Sequence, residues 1–170
     1  MKNFSFCTIL LVTGMSLLGT SEANAGNTYD YASSCPSKGY DKAGKGTADA
    51  WGFYLCECVS YAASKLTQNG VAFKNSYTKS KNTVKWGNAS NWSAAATTAG
   101  VPQDSTPKVG DVAWFSYGHV AWVDQVTKDK KGVVTSIDIS EYNYGYPKDP
   151  YKYNTRSIKP TSVSKFIHFK

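Results

Sequence analysis

The chain has 170 residues and a formal net charge of +7. That length is one domain's worth of residues, enough for a hydrophobic core, and we expect a single domain. The basic residues are scattered without a block of five like charges, and the run at 128–131 (KDKK) is typical of a solvated turn.

The first 25 residues have the features of a signal peptide. Lys2 supplies a short basic region, residues 4–19 are apolar, and Ala23-Asn24-Ala25 has the small-x-small pattern that signal peptidase accepts. The apolar run is short of the roughly 20 residues of a transmembrane helix, although an uncleaved membrane anchor is the alternative. We therefore expect cleavage after Ala25 and a bacterial protein, secreted or periplasmic, without stable membrane insertion.

The remaining chain divides into two segments. Residues 26–49 are rich in Gly, Ser, Lys and Asp and are expected to be irregular, whereas residues 50–170 have the patterns of a folded domain. Lys2 and Glu22 cancel, so the mature part keeps the charge of +7. On an exported protein this charge favours a polyanionic surface such as the cell wall over nucleic acid.

Two helices are predicted first. Apolar residues recur at i, i+3, i+4 and i+7 from Val59, which indicates a helix over 56–68 that Asn69-Gly70 ends. A second apolar face of the same period predicts a helix over 90–99, which Gly100 ends.

After a loop up to Pro107 the apolar period becomes two, which indicates strands. Strands are predicted over 111–117, 119–127, 133–144, 156–158 and 165–169. Because the helices come first and an antiparallel sheet follows, the fold class is α+β.

Polar side chains interrupt the apolar face of two of these strands. Alternation puts His119 on one face with Ala121, and puts Glu141 and Asn143 on one face with Ile139. Unpaired polar groups are costly to bury, so these side chains are expected to have partners. If the two strands are neighbours, an imidazole meets a carboxylate and an amide.

The cysteines supply a possible nucleophile. Cys35, Cys56 and Cys58 remain after cleavage, and export favours disulfides, so an odd count leaves one thiol over. Cys58 lies near a predicted helix start, where the helix dipole and a nearby imidazolium favour the reactive thiolate. A structural zinc site is disfavoured by the C-x-C spacing, and we expect no metal and no cofactor.

These residues belong to longer stretches that resemble a known family. ECVSYAASKL, PKVGD, GHVAWV and ISEYNYG, in that order, are similar to the CHAP domain, the cysteine/histidine-dependent amidase/peptidase family, over roughly residues 50–169. The resemblance implies a papain-like fold in which N-terminal helices pack on an antiparallel β-sheet. It also implies cleavage of peptidoglycan amide bonds, either as an N-acetylmuramoyl-L-alanine amidase or as a stem-peptide endopeptidase.

Carried over to this chain, the resemblance makes Cys58 the nucleophile, His119 the base, and Glu141 and Asn143 the groups that orient it. Glu57 departs from the family pattern because glutamine usually precedes the nucleophile. If that glutamine helps to bind the oxyanion, a carboxylate in its place repels the developing charge unless it is protonated or turned away.

The resemblance also suggests how the cysteines divide. Residues two apart on a helix point roughly 200° apart, so Cys56 is free to pair with Cys35 while Cys58 stays reduced. A Cys35–Cys58 disulfide, which would remove the nucleophile, is the competing arrangement.

Two further functions remain open on the same fold. A catalytically weak module that binds the cell wall would explain Glu57 and the basic charge, and an exported toxin would use the same chemistry on a competitor's wall. In each case we expect a monomer whose partner is peptidoglycan.

Overall fold

The protein is described by a computed structural model that covers residues 26–35, 46–79, 82–148 and 150–170. The predicted signal peptide, residues 1–25, lies outside the described residues, as does the part of the irregular segment at 36–45. Within the described part of the chain, no helix combines the length and the apolarity that crossing a bilayer requires.

Six strands form one antiparallel sheet in the order β1-β6-β2-β3-β4-β5. The helices are α1 (Cys58–Gln68) and α2 (Trp92–Ala99), and the strands are β1 (Gln103–Asp104), β2 (Val112–Phe115), β3 (His119–Lys128), β4 (Val134–Tyr142), β5 (Tyr153–Ile158) and β6 (Lys165–Ile167). The α+β class with helices preceding an antiparallel sheet is therefore confirmed.

Both predicted helices form, and their ends have physical causes. Gly70 and Gly100 follow them with φ of 79° and 70°, a left-handed conformation that glycine adopts without strain. A single 3₁₀ turn, Ala89–Asn91, precedes α2. α1 begins at Cys58, two residues later than predicted.

The alternation predicted for β3 matches the two faces of the sheet. Val120 and Trp122 belong to the core between the sheet and the helices, whereas Ala121 and Val123 belong to a separate buried cluster on the opposite face. The pairings Val112↔Trp122 and Trp122↔Ser140 place β3 between β2 and β4. The two strands that carry His119 and Glu141 are therefore neighbours.

α1 is fixed to the sheet by specific contacts as well as by packing on β3 and β4. The Tyr61 hydroxyl donates a hydrogen bond to Ser140 Oγ on β4 at 2.7 Å, and both groups are buried. This bond holds the helix over the strand that carries Glu141.

The start of the described chain packs on the same helix. Tyr29 is buried, its hydroxyl lies 2.6 Å from Ser60 Oγ on α1, and it accepts a hydrogen bond from the Cys56 amide at 3.0 Å. Asn27 Nδ2 donates to the Tyr142 hydroxyl at 2.7 Å. Residues 26–35 thus lack long regular elements but contribute to the core around the start of α1.

One strand was not anticipated. The stretch predicted as a loop up to Pro107 contains the short β1, which pairs with the chain's last strand through Gln103↔Ile167 and Asp104↔Phe166. A strand of two residues is too short to show an alternating pattern in the sequence. It forms by pairing with a strand more than 60 positions away in the chain.

Candidate active site

Cys58 is the first residue of α1, and among the described cysteines it is the one with a free thiol. The preceding residue, Glu57, is extended (φ −86°, ψ 156°) and its carbonyl accepts the Tyr61 amide at 3.0 Å, which closes the first helical turn. The thiol is buried, with 8% of the residue exposed, at the positive end of the helix dipole.

Cys56 differs from the prediction in conformation. It is not helical, because its φ of 67° places it in the left-handed region before α1 begins. The predicted angle between the two thiols assumed that both cysteines are helical, and that assumption is wrong. The structure nevertheless contains a Cys35–Cys56 disulfide, which joins residues 21 apart in sequence, and it leaves Cys58 reduced.

His119 is the first residue of β3 and follows a tight turn in which the Gly118 amide donates to the Phe115 carbonyl at 3.0 Å. Its ring nitrogen Nε2 lies 2.9 Å from Glu141 Oε2. Burial alone would lower the pKa of His119, but hydrogen bonds with Cys58 and Glu141 and their negative charges outweigh it and raise the pKa to about 9. The contacts with Cys58 and Glu141 therefore favour the imidazolium form of His119.

Glu141 has no exposed surface and is held by three side chains. Besides His119, Asn154 Nδ2 donates to Oε1 at 2.8 Å, and Arg156 donates to Oε1 from Nε at 2.7 Å and to Oε2 from Nη2 at 3.1 Å. Burial would raise the pKa of Glu141, but the bonds and charges of His119 and Arg156 overcome this effect and lower it. Glu141 is therefore held as an ionised carboxylate.

Asn143 does not have the position that alternation predicted. β4 ends at Tyr142, and Asn143 adopts a left-handed φ of 59°, which breaks the two-residue period. Its Nδ2 donates to Glu57 Oε2 at 2.7 Å, and its Oδ1 accepts the Tyr151 amide at 2.9 Å. Asn143 thus contacts Glu57, whereas Glu141 contacts the His119 ring.

Glu57 lies beside the nucleophile but does not cap the helix that begins there. Its half-buried carboxylate instead accepts the Asn143 hydrogen bond. Burial raises the pKa of Glu57, although the Asn143 hydrogen bond and the charge of His119 act in the opposite direction. The amides of Cys58 and Val59 are thereby left without a side-chain acceptor from Glu57.

Asn154 and Arg156 were not predicted as site residues, and the predicted strand, which began only at Arg156, left Asn154 out. The observed β5 begins earlier, at Tyr153, and pairs Asn154 with Glu141 and Arg156 with Ile139. One signal was available in the sequence. Arg156 is the chain's only arginine among 19 basic residues, and arginine is the residue that binds a carboxylate through two parallel hydrogen bonds.

A cleft of about 1140 Å³ opens over the Cys58 side chain. Its lining is mainly polar and includes the backbone at Gly52 and at Gly118. The polar and charged side chains that line it are Tyr54, Glu57, Asn75, Lys85, Asn88, Ser90, Asn91 and Tyr117. The cleft is large enough for a peptide or a branched substrate to reach the thiol.

The second histidine lies elsewhere. His168 is buried just after β6, with Nδ1 2.8 Å from Asp111 Oδ1 and Nε2 3.0 Å from Asp104 Oδ1. None of these three residues lines the cleft. Among the described residues, no group of three His, Cys, Asp or Glu side chains is arranged to hold a metal ion.

Comparison with known proteins assigns the chain to a family. The CHAP domain model matches residues 48–143, more than half of the chain. The staphylococcal secretory antigen ssaA2 of Staphylococcus aureus strain NCTC 8325 / PS 47 is 40% identical over 86 residues, which are 49% of this chain and 30% of that protein. The staphylococcal secretory antigen SsaA of the same strain is 38% identical over 86 residues, 49% of this chain and 32% of that protein.

The matched part of this chain thus spans about a third of the length of the curated relatives. Among solved structures, an N-acetylmuramoyl-L-alanine amidase from Staphylococcus aureus is 25% identical and has a TM-score of 0.49. That alignment covers 67% of this chain and 31% of the amidase.

Proposed function

The chain belongs to the CHAP family, and from this premise we propose that it is an exported cysteine hydrolase that cleaves amide bonds of peptidoglycan. One observation carries the proposal. Cys58, whose free thiol is buried, is the first residue of a helix and lines a large polar cleft. Its side chain hydrogen-bonds with His119, and His119 is held by the ionised Glu141. The proposed nucleophile thus contacts the proposed base, and the base contacts the group that orients it.

The reaction begins from a thiolate–imidazolium pair. The Cys58 thiolate attacks the carbonyl carbon of the amide, a C–S bond forms, and the carbonyl π electrons move to the oxygen. When the C=O bond re-forms, the C–N bond breaks and the leaving nitrogen takes the proton of the His119 imidazolium. The products of this half-reaction are a free amine and a thioester on Cys58.

Hydrolysis of the thioester restores the enzyme. Neutral His119 accepts a proton from water as the oxygen attacks the thioester carbon, the C–S bond breaks, and a carboxylic acid leaves. Glu141 stays ionised throughout, holds Nε2 of His119 and stabilises the imidazolium in the resting enzyme. This fixes Nδ1 as the nitrogen that exchanges protons with Cys58 and the substrate.

Oxyanion stabilisation is assigned to the start of α1. The first-turn amides of Cys58 and Val59 point along the helix axis, where the dipole favours negative charge. The Glu57 carboxylate is drawn toward Asn143, which keeps it off these amides. Asn143 thus contributes indirectly, by holding away a side chain that would oppose the oxyanion.

Several features support peptidoglycan as the substrate and export as the route. The family is the cysteine/histidine-dependent amidase/peptidase family, and the cleft has the polar lining that suits a peptide or an amino sugar. The two relatives are named secretory antigens, and a disulfide is characteristic of exported proteins. We assign residues 1–25 as the signal peptide and residues 50–170 as the CHAP domain.

The test is to incubate residues 26–170 with purified peptidoglycan, with Cys58→Ala alongside, and to identify the released fragments by mass spectrometry. Free stem peptides with intact glycan indicate an amidase, and cut cross-links indicate an endopeptidase. Activity that persists in folded Cys58→Ala would overturn the mechanism. Sedimentation with peptidoglycan but no product across several wall types and pH values would favour the binding module instead.

A further inference from the structure

We propose that Arg156 is a positioning residue of this active site, which holds Glu141 so that its Oε2 stays on Nε2 of His119. The inference deepens the proposed function and rests on it for the meaning of His119. Arg156 lies outside residues 48–143, the part of the chain that matches the family model, so the family match does not assign it a role.

The contact between Arg156 and Glu141 is made through two parallel hydrogen bonds. Nε donates to Oε1 at 2.7 Å and Nη2 donates to Oε2 at 3.1 Å, so both carboxylate oxygens are engaged from one side. Oε2 is the same atom that meets His119 at 2.9 Å. The plane and the rotation of the carboxylate at His119 are therefore set by the guanidinium.

Arg156 is itself held in place. Its guanidinium carbon lies 3.8 Å from the centre of the Tyr144 ring and 6.0 Å from that of Phe115, which is a cation–π arrangement with both rings. It also hydrogen-bonds with Tyr117, a residue of the cleft rim. Because three neighbours restrict the side chain, Arg156 can fix the orientation of the Glu141 carboxylate as well as supply a positive charge.

The burial of Glu141 makes this support necessary. A carboxylate without exposed surface is destabilised in its ionised form unless cations and donors surround it. Besides His119, the hydrogen-bond donors on Glu141 are Asn154 and Arg156, and Asn154 is uncharged. Without Arg156 the carboxylate is expected to take up a proton at a higher pH and to lose its fixed orientation.

The ionisable groups around His119 and Glu141 come from the elements that pack against these two residues. They are Glu57 and Cys58 at the start of α1, Tyr117 in the turn before β3, Tyr144 after β4, and Arg156 on β5. Arg156 is the one permanent cation of this set and contacts the carboxylate directly, so its removal should act on the acid side of the pH profile.

The experiment compares residues 26–170 with Arg156→Met and Arg156→Lys. In Arg156→Met we expect kcat to fall about tenfold and the acid limb of kcat/KM to move up by about one pH unit, because an opposite charge on a carboxylate is removed. Arg156→Lys should recover part of the acid limb but not kcat, because lysine keeps the charge and loses the planar fork and the stacking.

A substrate-free measurement separates this inference from the proposed function. The chain has two histidines, so ¹⁵N labelling of the imidazoles resolves His119 and His168. Above pH 9 the wild-type His119 should show a single tautomer protonated at Nε2, and Arg156→Met should show a mixture. Asp111→Asn, in the His168 cluster, is the matched control and should leave the His119 spectrum and the acid limb unchanged.

A folded Arg156→Met variant with wild-type kcat, acid limb and His119 tautomer would overturn the positioning role, even if its thermal stability were lower. If the wild type cleaved no peptidoglycan but the tautomer became mixed in Arg156→Met, the proposed function would fail and the positioning role would stand.

Discussion

Two buried histidines in this fold each face a buried carboxylate, and their surroundings differ. His119 and Glu141 lie 2.9 Å apart beside a free thiol and a cleft. His168 and Asp111 lie 2.8 Å apart where β6 meets the residues before β2, with Asp104 as a third member. The pairing of imidazole and carboxylate is common to both, so the pair alone does not define an active site.

The surroundings make the difference. His119 also hydrogen-bonds with Cys58, whose negative charge helps to raise the pKa of the imidazole to about 9, and Glu141 is fixed from behind by Arg156. His168 has carboxylates on both sides, and its backbone amide donates to the Pro102 carbonyl at 2.9 Å. The His168 cluster therefore joins strands, whereas the His119 cluster joins a carboxylate to the free thiol of Cys58.

The largest expected effect comes from removing each histidine in turn. His119→Ala should lower kcat about a thousandfold, because it removes both the general acid and the general base. His168→Asn should leave kcat within about twofold but lower the free energy of unfolding by about 1–3 kcal/mol, because the buried Asp111 loses a hydrogen bond. Fragment release and urea denaturation measure the two effects.

A folded His168→Asn variant that lost its activity would contradict the division of roles between the two clusters. Retained activity in His119→Ala would remove His119 from the mechanism. Circular dichroism of both variants provides the control for folding.

The second prediction concerns pH. Because the pKa of His119 is raised to about 9, the imidazolium should persist through neutral pH, and kcat/KM should fall about tenfold per pH unit only above pH 9. The same raised pKa contributes stability that is fully present below about pH 6.5 and is lost as pH rises through about 9. A pH profile from 6 to 10.5 with an NMR titration of His119 measures both.

His168→Asn is the matched control for this profile and should show the same alkaline limb as the wild type. An alkaline limb and a His119 midpoint near pH 7 in the wild type would contradict the thiolate–imidazolium pair.

The smallest expected effect concerns the second carboxylate near each histidine, Glu57 near His119 and Asp104 near His168. Glu57→Gln should raise kcat about two- to fivefold at neutral pH, because it removes a negative charge from the vicinity of the developing oxyanion. The glutamine carbonyl still accepts the Asn143 hydrogen bond, so the packing is kept. The alkaline limb should also move slightly downward, because the charges of Glu57 and His119 interact favourably.

Asp104→Asn is the matched change beside His168 and should alter neither kcat nor the alkaline limb. A decrease of kcat in Glu57→Gln would show that the carboxylate assists the reaction rather than opposing it. Steady-state kinetics on a soluble peptidoglycan fragment is precise enough for a change of this size.

Much of the framework could be predicted because it depends on local periodicity. The apolar spacing from Val59 indicated α1, and the alternation around Ala121 separated the two faces of β3. The ends of elements were less predictable. A left-handed Cys56 delayed α1 by two residues, and a left-handed Asn143 ended β4 early. A left-handed conformation is uncommon for residues other than glycine, asparagine adopts it more often than cysteine does, and packing decides where it occurs.

The sequence by itself determined the fold class, the family resemblance and the candidates Cys58, His119 and Glu141, because each lies in a stretch whose period or motif can be read locally. The tertiary structure alone decided which carboxylate meets His119, that Asn143 holds Glu57, and that Arg156 supports Glu141. The reason is that these contacts join strands through the register of the sheet, and a register of Glu141 against Asn154 is a property of the pairing of β4 with β5.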